Sequence, residues 1–352
     1  MYREATVGVV IPAYNESGFV GDVIRGLPDY VDRIYVIDDR STDDTWDEIR
    51  EAARKDASAD STDDAVSAPQ IVADGGASAL TTRASVRDSI GRVVPIRHRE
   101  NLGAGGAIKT GYLAALADGV DATVTVDADG QMDLTEMSRL LDPIVEDEAD
   151  YAKGNRLLSR TYRASMPRFR FLGNATLTGL TKIASGYWKT MDPQNGYTAI
   201  SRNALETIDL ENLYEYYGYC NDLLVKLNVH GMRVADVAMP AVYGEEESSI
   251  RYSSYVPKVS TMLLRNFLWR LRRKYLVLDF HPLALFYLFG AGMAGAGLLA
   301  TGAGLIASVS SLVPALAQGS TILFLLVAGL AFLLFAMVFD MGESEHLETQ
   351  IR

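Results

Sequence analysis

Cysteine and lysine are the scarce residues of this 352-residue chain. A single cysteine, Cys220, excludes an intrachain disulfide and a cysteine-rich metal site. Only eight of the 33 basic residues are lysines, and 45 acidic residues bring the net charge to −12. This balance argues against a nucleic-acid-binding protein, which needs a positive field facing phosphate. Many acids with few lysines are typical of proteins kept soluble in high salt, so we expect a halophilic source.

Charge is missing altogether from one long stretch near the C-terminus. Residues Phe280–Phe339 contain no Asp, Glu, Lys or Arg, although 22% of the whole chain is charged. One membrane-spanning helix needs about 20 residues, so the stretch is long enough for two. Ser308–Ser311 and Pro314 interrupt it. We therefore expect two transmembrane helices within residues 282–340, Leu283–Ala307 and Ser320–Phe339.

Flanking charge predicts the orientation of these helices. Residues 255–281 form a basic amphipathic approach to the membrane, and the turn between the two helices is uncharged. By the positive-inside rule, the N-terminal part lies in the cytoplasm and the acidic tail, residues 341–352, returns to the same side. No signal peptide precedes the first strand-like segment. We expect a multi-pass cell-membrane protein with a cytoplasmic domain.

The first half of the chain alternates short β-branched runs with segments of helical spacing, which predicts an α/β fold around a mostly parallel sheet. The predicted strands are Ala5–Ile11, Arg33–Ile37, Val93–Ile96 and Ala122–Asp127. The predicted helices are Phe19–Leu27, Asp43–Arg54 and Ala107–Ala117. We assign residues 1–254 to this domain and interpret Asp56–Arg92, which has no aromatic residue, as a mobile surface insertion.

Polar or glycine-rich loops follow all four predicted strands. In open parallel sheets, ligands bind beyond the carboxyl ends of the strands, so these loops should converge on one edge. The loop sequences are Pro12-Ala-Tyr-Asn-Glu16, Asp38-Asp-Arg-Ser-Thr-Asp-Asp-Thr45, Asn101-Leu-Gly-Ala-Gly-Gly106 and Asp127-Ala-Asp-Gly-Gln131.

The fourth loop predicts a metal site. Asp127 and Asp129, two residues apart at a strand end, suit Mg²⁺ or Mn²⁺, which also bind substrate phosphates. Gln131 would add a neutral oxygen. The alternative interpretation is a solvated acidic turn, which the three companion loops make less favourable.

The second and third loops predict contacts to a nucleotide. Asp39 would accept hydrogen bonds from a base or ribose, while Ser41 or Thr42 caps a helix that begins at Asp43. Gly103 and its neighbouring glycines would let the backbone approach a ligand. For Lys109 the alternatives are a substrate contact and an ordinary solvated side chain.

Together the four loops, in this order, closely resemble the inverting glycosyltransferases of family 2, which have the GT-A fold. The nearest type is the dolichyl-phosphate mannose or glucose synthases, which attach a sugar to a polyprenyl phosphate. The resemblance covers about residues 5–250. It implies that the Asp127-x-Asp129 motif holds the metal that binds the donor diphosphate, and that the acid of the second loop contacts the nucleoside. The substrate-binding residues we carry over from the motifs are Pro12, Tyr14, Glu16, Asp39, Gly103, Lys109 and Asp127.

Downstream residues supply candidates for catalysis. Arg156, Arg170 and Arg251 are candidates for binding phosphate, because arginine offers a planar fork to phosphate oxygens. Asp222 stands where many family members have a catalytic base, but a phosphate acceptor is already ionised and needs none. The turn Asp192–Tyr197 resembles the family's acceptor side.

These observations predict an enzyme, with Asp129, Asp222 and Arg156 as candidate catalytic residues. It would move a hexose from a UDP- or GDP-linked donor to a polyprenyl (dolichyl) phosphate, with inversion, for protein or surface glycosylation. The first alternative is transfer to a saccharide hydroxyl of a lipid-linked acceptor with Asp222 as base. The second is a non-catalytic, membrane-anchored nucleotide-sugar-binding protein.

Overall fold

The protein is built around one twisted mixed sheet. The computed structural model describes residues 1–59, 80, 82–86, 88–158, 168–239, 252–307 and 315–352. In these residues the strands are β1 Val7–Ala13, β2 Arg33–Asp38, β3 Ala84–Val86, β4 Val93–His98, β5 Ala122–Thr125, β6 Tyr151–Asn155, β7 Thr198–Ser201, β8 Val234–Ala238 and β9 Glu348–Ile351. Their order across the sheet is β3-β4-β2-β1-β5-β7-β6-β8-β9.

Strand direction divides the sheet into a parallel half and a mixed half. Strands β4, β2, β1 and β5 are mutually parallel, whereas β7 runs antiparallel to both β5 and β6. Alternate residues of β1 enter opposite cores: Val9 and Ile11 pack on one face and Val10 on the other. Burial on both faces explains the continuous apolar runs of the early strands and confirms the predicted α/β architecture.

Helices cover both faces of the sheet, and further helices follow toward the C-terminus. They are α1 Val20–Gly26, α2 Thr45–Ala59, α3 Ala104–Ala117, α4 Met137–Val145, α5 Arg168–Ser185, α6 Arg202–Thr207, α7 Tyr219–Val229, α8 Tyr252–Arg272, α9 Leu283–Ala307 and α10 Ala315–Ser344. A π-helical turn, Arg273–Leu278, connects α8 to the last two helices.

The start of α2 differs from the prediction. The helix begins at Thr45, and Asp43 caps it by accepting hydrogen bonds from the Thr45 amide (3.1 Å) and hydroxyl (2.6 Å). The hydroxyl of Ser41 instead accepts a hydrogen bond from the backbone amide of Asn15 at 3.0 Å. Several residues of this loop have capping side chains, and only the tertiary contact decides which of them caps the helix.

The predicted insertion 56–92 is shorter than expected, and most of it falls outside the described residues. At one end α2 continues to Ala59. At the other, Leu80 is buried in the core and β3 pairs with β4. Arg92 closes the base by donating to Asp56 (2.9 Å) and to the Pro28 carbonyl (2.8 Å).

Helices α9 and α10 are each long and apolar enough to cross a membrane. Their facing glycines permit close packing: a Cβ on Gly329 would lie 2.6 Å from the backbone of Ala294. Large apolar side chains cover their outer surfaces, among them Leu299, Phe324 and Phe335, each more than half exposed. This surface matches the expected pair of transmembrane helices, the first with the predicted bounds.

The C-terminal tail, predicted only as an acidic segment, is part of the sheet. After α10 the chain turns back and β9 pairs in parallel with β8, with Val234 opposite Glu348 and Val237 opposite Ile351. The C-terminal end of the hairpin therefore returns to the N-terminal domain, the same domain from which α8 leads into the hairpin. This return agrees with the predicted hairpin topology.

A buried ion pair fixes the base of the hairpin to the domain. Arg270 of α8 donates to both oxygens of Asp340 of α10, each at 2.8 Å, and neither side chain is exposed. The same guanidinium donates to the carbonyls of Ala184 (2.9 Å) and Ile183 (3.0 Å) at the C-terminus of α5. A cation at this end also complements the helix dipole.

We expect Arg270→Ala to lower the free energy of unfolding by about 3–5 kcal/mol, because it leaves Asp340 buried without its counter-ion. Thermal unfolding in detergent measures the loss. The matched control is Arg202→Ala, which breaks a pair with Glu206 whose side chains are 46% and 53% exposed. The control should cost less than about 1 kcal/mol. Equal losses in the two variants would contradict the role given to Arg270.

Candidate active site

The register of the parallel strands brings the predicted loops to one edge of the sheet. Ala13 pairs with Asp38 and Asp38 with Arg97, so β1, β2 and β4 end side by side. The first two loops are joined directly: Asn15 Oδ1 accepts from the Thr42 amide at 2.9 Å. Pro12 lies at the end of β1, and Tyr14 and Glu16 follow it on this edge, with Tyr14 47% exposed.

The second-loop acid Asp39 is buried and makes several contacts within the chain. It accepts hydrogen bonds from the amides of Leu102 and Gly103, both at 2.8 Å. His98 Nδ1 lies 2.7 Å from the same carboxylate, and His98 Nε2 lies 2.8 Å from Thr110 Oγ1. Asp39 therefore anchors the glycine-rich loop to the strand edge, and its predicted contact with a nucleoside stays a prediction.

The glycine-rich loop packs against the chain itself. A Cβ on Gly105 would lie 2.4 Å from the Tyr214 carbonyl, and one on Gly103 would lie 2.9 Å from the Glu215 carbonyl. The close approach that these glycines permit is therefore to residues 214–219, where the sequence analysis expected a ligand. The hydrogen bond from the Gly103 amide to Asp39 is part of this internal packing.

Lys109 also binds this neighbouring segment. It is buried, and its ammonium donates to the Glu211 carbonyl and to Glu215 Oε1. The interpretation as a solvated residue is wrong, and the predicted substrate contact stays a prediction.

Asp127 and Asp129 line a cavity of about 180 Å³ at the end of β5. Its lining residues are Asp127, Asp129, Gln131, Met132, Asp133, Glu136, Arg156, Gln194, Asn195, Gly196, Tyr197 and Met239. The structure thus brings the predicted metal-binding residues and Arg156 together in one cavity. Two of its other acids have partners: Asp133 accepts from Thr135 at 2.6 Å, and Glu136 accepts from Arg139 at 2.6 Å.

The paired carboxylates create a local demand for positive charge. Burial, and to a lesser degree the charge of Asp129, raise the pKa of Asp127 to about 7, although Arg156 opposes the shift. The backbone amide of Gln131 donates to Asp129 Oδ1 at 2.9 Å. Among the described residues, no cluster of three or more His, Cys, Asp or Glu side chains is placed to hold a metal. The donor set therefore suits a hard cation that completes its coordination with substrate oxygens and water.

Arg156 is held by a buried acid. Its Nε and Nη2 donate to the two oxygens of Asp192, at 2.7 and 2.9 Å, and 29% of its side chain stays exposed. Burial alone would raise the pKa of Asp192, but the bonds from Arg156 outweigh it and hold that pKa below its usual value. This two-pronged contact fixes the plane of the guanidinium beside the cavity.

Sequence reasoning named the turn 192–197 but assigned none of its residues to the site. Gln194 lines the cavity, and neither atom of its buried amide has a hydrogen-bond partner among the described residues. A Cβ on Gly196 would lie 3.2 Å from Asp127 Oδ2, so glycine allows the turn to approach the carboxylate. The only signal for this turn was its likeness to the family's acceptor side.

Asp222 is a buried residue in the first turn of α7. It accepts from the Tyr214 amide (2.9 Å) and Asn266 Nδ2 (2.6 Å), and its other neighbour is Lys226 Nζ at 3.7 Å. It lines a groove of about 740 Å³ between α7 and α8 and does not belong to the lining of the Asp127 cavity. Asp222 is thus not among the residues that line the Asp127 cavity, and its predicted role as a base stays a prediction.

The remaining two arginines cannot be compared with the prediction. Arg170 lies on α5, where its side chain is outside the described part of the structure. Arg251 lies outside the described residues altogether.

Comparison with known proteins identifies the class of the chain. The sequence profile of glycosyl transferase family 2 matches residues 8–60 and 71–209. The chain therefore belongs to this family and is a glycosyltransferase, which confirms the resemblance found in its loops.

Two of its relatives are named for a lipid phosphate. The UDP-N-acetylglucosamine–dolichyl-phosphate N-acetylglucosaminyltransferase of Methanococcus voltae is 27% identical over 67% of this chain and 86% of its own. The polyprenol monophosphomannose synthase of Mycolicibacterium smegmatis is 28% identical over 69% of this chain and 78% of its own. The glucosyl-3-phosphoglycerate synthase of Mycobacterium tuberculosis, a solved structure, superposes with a TM-score of 0.48 at 18% identity, covering 76% of this chain and 80% of that one.

We expect Asp127→Asn to abolish transfer while raising the unfolding temperature in metal-free buffer at pH 8. The fold raises the pKa of Asp127 above its ordinary 3.8, so the ionised carboxylate destabilises the folded state. This destabilisation grows as the pH rises from about 4 to 7 and is constant above that, and a neutral amide removes it. Thermal unfolding and a transfer assay measure the two effects.

The control for this prediction is Asp47→Asn, an acid of α2 whose side chain is 80% exposed. It should change neither quantity. Transfer retained by Asp127→Asn would contradict the metal-binding role, and a lower unfolding temperature would contradict the unfavourable burial.

Proposed function

We propose that the protein transfers a sugar, with inversion, from a nucleotide sugar to a polyprenyl phosphate such as dolichyl phosphate. The observation that carries the proposal is the cavity in which Asp127, Asp129 and Arg156 converge at the carboxyl edge of the sheet. Two carboxylates and a guanidinium are complementary to a divalent cation and to phosphate oxygens, the two parts of a metal-bound diphosphate. The Methanococcus voltae relative, named for a UDP-sugar donor and a dolichyl-phosphate acceptor, supports the same assignment.

The metal is Mg²⁺ or Mn²⁺, and Asp127 and Asp129 would hold it, with Gln131 beside them. When bound, such an ion neutralises the charge that develops on the leaving diphosphate. The residues of the chain have complementary tasks. Arg156, fixed by Asp192, lines the cavity, and the unpartnered amide of Gln194 offers a donor and an acceptor to the sugar or phosphate.

A phosphate acceptor agrees with the position of Asp222. A phosphate oxygen is already ionised at neutral pH and attacks the anomeric carbon directly, whereas a sugar hydroxyl must lose a proton to a base. Asp222 is outside the cavity lining, with hydrogen bonds to Tyr214 and Asn266. Asp133 and Glu136, which do line the cavity, are occupied by Thr135 and Arg139.

We further propose that the hairpin of α9 and α10 spans the cell membrane with the domain on the cytoplasmic side. The uncharged turn between the helices and the basic residues before them support this orientation. The apolar outer surface of both helices supports the insertion. The catalytic cavity would then work close to the headgroups, where a lipid phosphate resides.

The direct test is transfer from labelled UDP- and GDP-sugars to dolichyl phosphate by the full-length protein in detergent. We expect a chloroform-soluble, acid-labile sugar phosphate as product, which EDTA abolishes and added Mn²⁺ or Mg²⁺ restores. Transfer only to a lipid-linked saccharide would favour the hydroxyl-acceptor alternative. Nucleotide-sugar binding without any transfer would favour the non-catalytic alternative.

Asp222→Asn should keep most of the rate with dolichyl phosphate, because the proposed reaction needs no general base. Arg156→Ala should be severe, since the donor diphosphate loses the guanidinium that binds its oxygens. The initial rate at saturating donor measures both. A loss of about 10²–10⁴-fold in Asp222→Asn, the usual contribution of positioned proton transfer, would overturn the phosphate-acceptor proposal.

A further inference from the structure

The C-terminal strand β9 brings one acidic side chain from beyond the membrane hairpin into the interior of the domain. Glu348 is the first residue of β9 and is buried. Its Oε1 accepts from the Trp188 amide at 2.7 Å. Its Oε2 accepts from the amides of Lys189 and Thr190, both at 2.8 Å, and from Thr190 Oγ1 at 3.1 Å. Three successive amides thus point at one carboxylate that lies about 160 positions later in the chain.

Such an arrangement favours an anion. Consecutive amides that converge on one point form a small anion-binding concavity, and hydrogen bonds to an ionised acceptor are stronger than neutral ones. Glutamine at 348 has one carbonyl oxygen, and its NH₂ group would face an amide that also donates. The contact therefore depends on the charge and on both oxygens of Glu348.

The segment that Glu348 holds leads directly into the proposed active site. The next residue, Met191, donates its amide to Asp236 at 3.0 Å and accepts from Lys153 Nζ at 2.5 Å. Asp192, which follows it, orients Arg156. Two residues further, Gln194 lines the cavity. One short ribbon, residues 188–196, thus runs from Glu348 to the carboxylate of Asp127.

We propose that Glu348 is a positioning residue for the glycosyl transfer, acting through the 188–196 ribbon on Arg156 and Gln194. The proposal rests on the proposed function, since it assumes that this cavity binds the nucleotide donor. According to this proposal, the tail after the hairpin forms part of the donor site. The donor site is then complete only after β9 has paired with β8.

The experiment compares Glu348→Gln with Glu345→Gln in the full-length protein in detergent. Glu345 is a matched control: it loses the same charge from the same tail, but it contacts only the side chain of Lys189, in an ion pair that is 46% and 67% exposed, and leaves the bond from the Lys189 backbone amide to Glu348 in place. Titration with Mn²⁺ plus UDP or GDP gives the nucleotide Kd, and transfer assays give KM for donor and acceptor separately. We expect Glu348→Gln to weaken nucleotide binding and raise the donor KM about 10-fold, the lower end of the effect of losing a residue that orients a ligand-binding group.

Acceptor KM should stay unchanged in Glu348→Gln, and Glu345→Gln should stay within about 2-fold throughout, as expected for an exposed pair. A purely structural role predicts a different pattern: fewer active molecules, hence a lower apparent kcat, with donor KM and nucleotide Kd as in the native protein. That pattern would overturn the proposal.

Two further measurements keep the test decisive. Thr190→Val, which is isosteric and removes one of the four hydrogen bonds, should weaken nucleotide binding in the same direction but less, even if Glu348→Gln does not fold. Hydrogen exchange of the 188–196 amides needs no substrate, so it separates this proposal from the proposed function. Exchange that is faster in the Glu348→Gln or Thr190→Val variant than in the native protein, and faster through residues 191–196, supports the proposal. Faster exchange confined to residues 188–190 contradicts it.

Discussion

The rest of the structure depends on the guanidinium of Arg270, a charged group that is fully buried. A buried cation must have its donors satisfied, because the desolvation penalty is otherwise several kcal/mol. Here Asp340 and the carbonyls of Ile183 and Ala184 satisfy it, so α8, α10 and the end of α5 take one mutual arrangement. Gly186 with φ +81° follows α5, and a Cβ there would lie 2.5 Å from Arg270 Nη1. The chain then runs straight into the ribbon that Glu348 holds, so the hairpin and the site share one frame.

Within that frame, electrostatics define what the cavity can accept. Asp127 and Asp129 repel one another, and burial raises the pKa of Asp127 to about 7. A divalent cation would relieve this cost, which a neutral ligand cannot do. Arg156, in contrast, has its charge partly compensated by Asp192, whose pKa is held below its usual value. The cavity thus favours a cation at Asp127 and Asp129 and an anion at Arg156, the two parts of the proposed metal-bound diphosphate.

The sequence predicted features with a local pattern and missed those that rest on distant contacts. Short runs of β-branched, apolar residues located β1, β2, β4 and β5, and the long uncharged stretch gave α9 with its observed bounds. By contrast, the four-residue strand β9 has no such run, and the partners of Glu348 lie about 160 residues away. Asp39 shows the same limit at the site: its place at a strand end was predictable, but its bonds to Leu102 and Gly103 were not. The glycines of that loop were noticed for close approach, and the structure shows such an approach to residues 214–219, while the predicted approach to a ligand stays a prediction.

The position of Asp222 connects the chemistry to the membrane hairpin. A protein that activates a hydroxyl must keep an unpaired base beside the reacting carbon, and an unpaired buried carboxylate is costly. In this cavity the other acids that could serve, Asp133 and Glu136, are paired, while Asp222 joins α7 to Asn266 of α8. An ionised phosphate brings its own nucleophile, so no such base need be maintained. What that acceptor requires instead is delivery of a headgroup to the cavity, and a domain anchored by α8, α10 and the returning strand β9 is built to supply it.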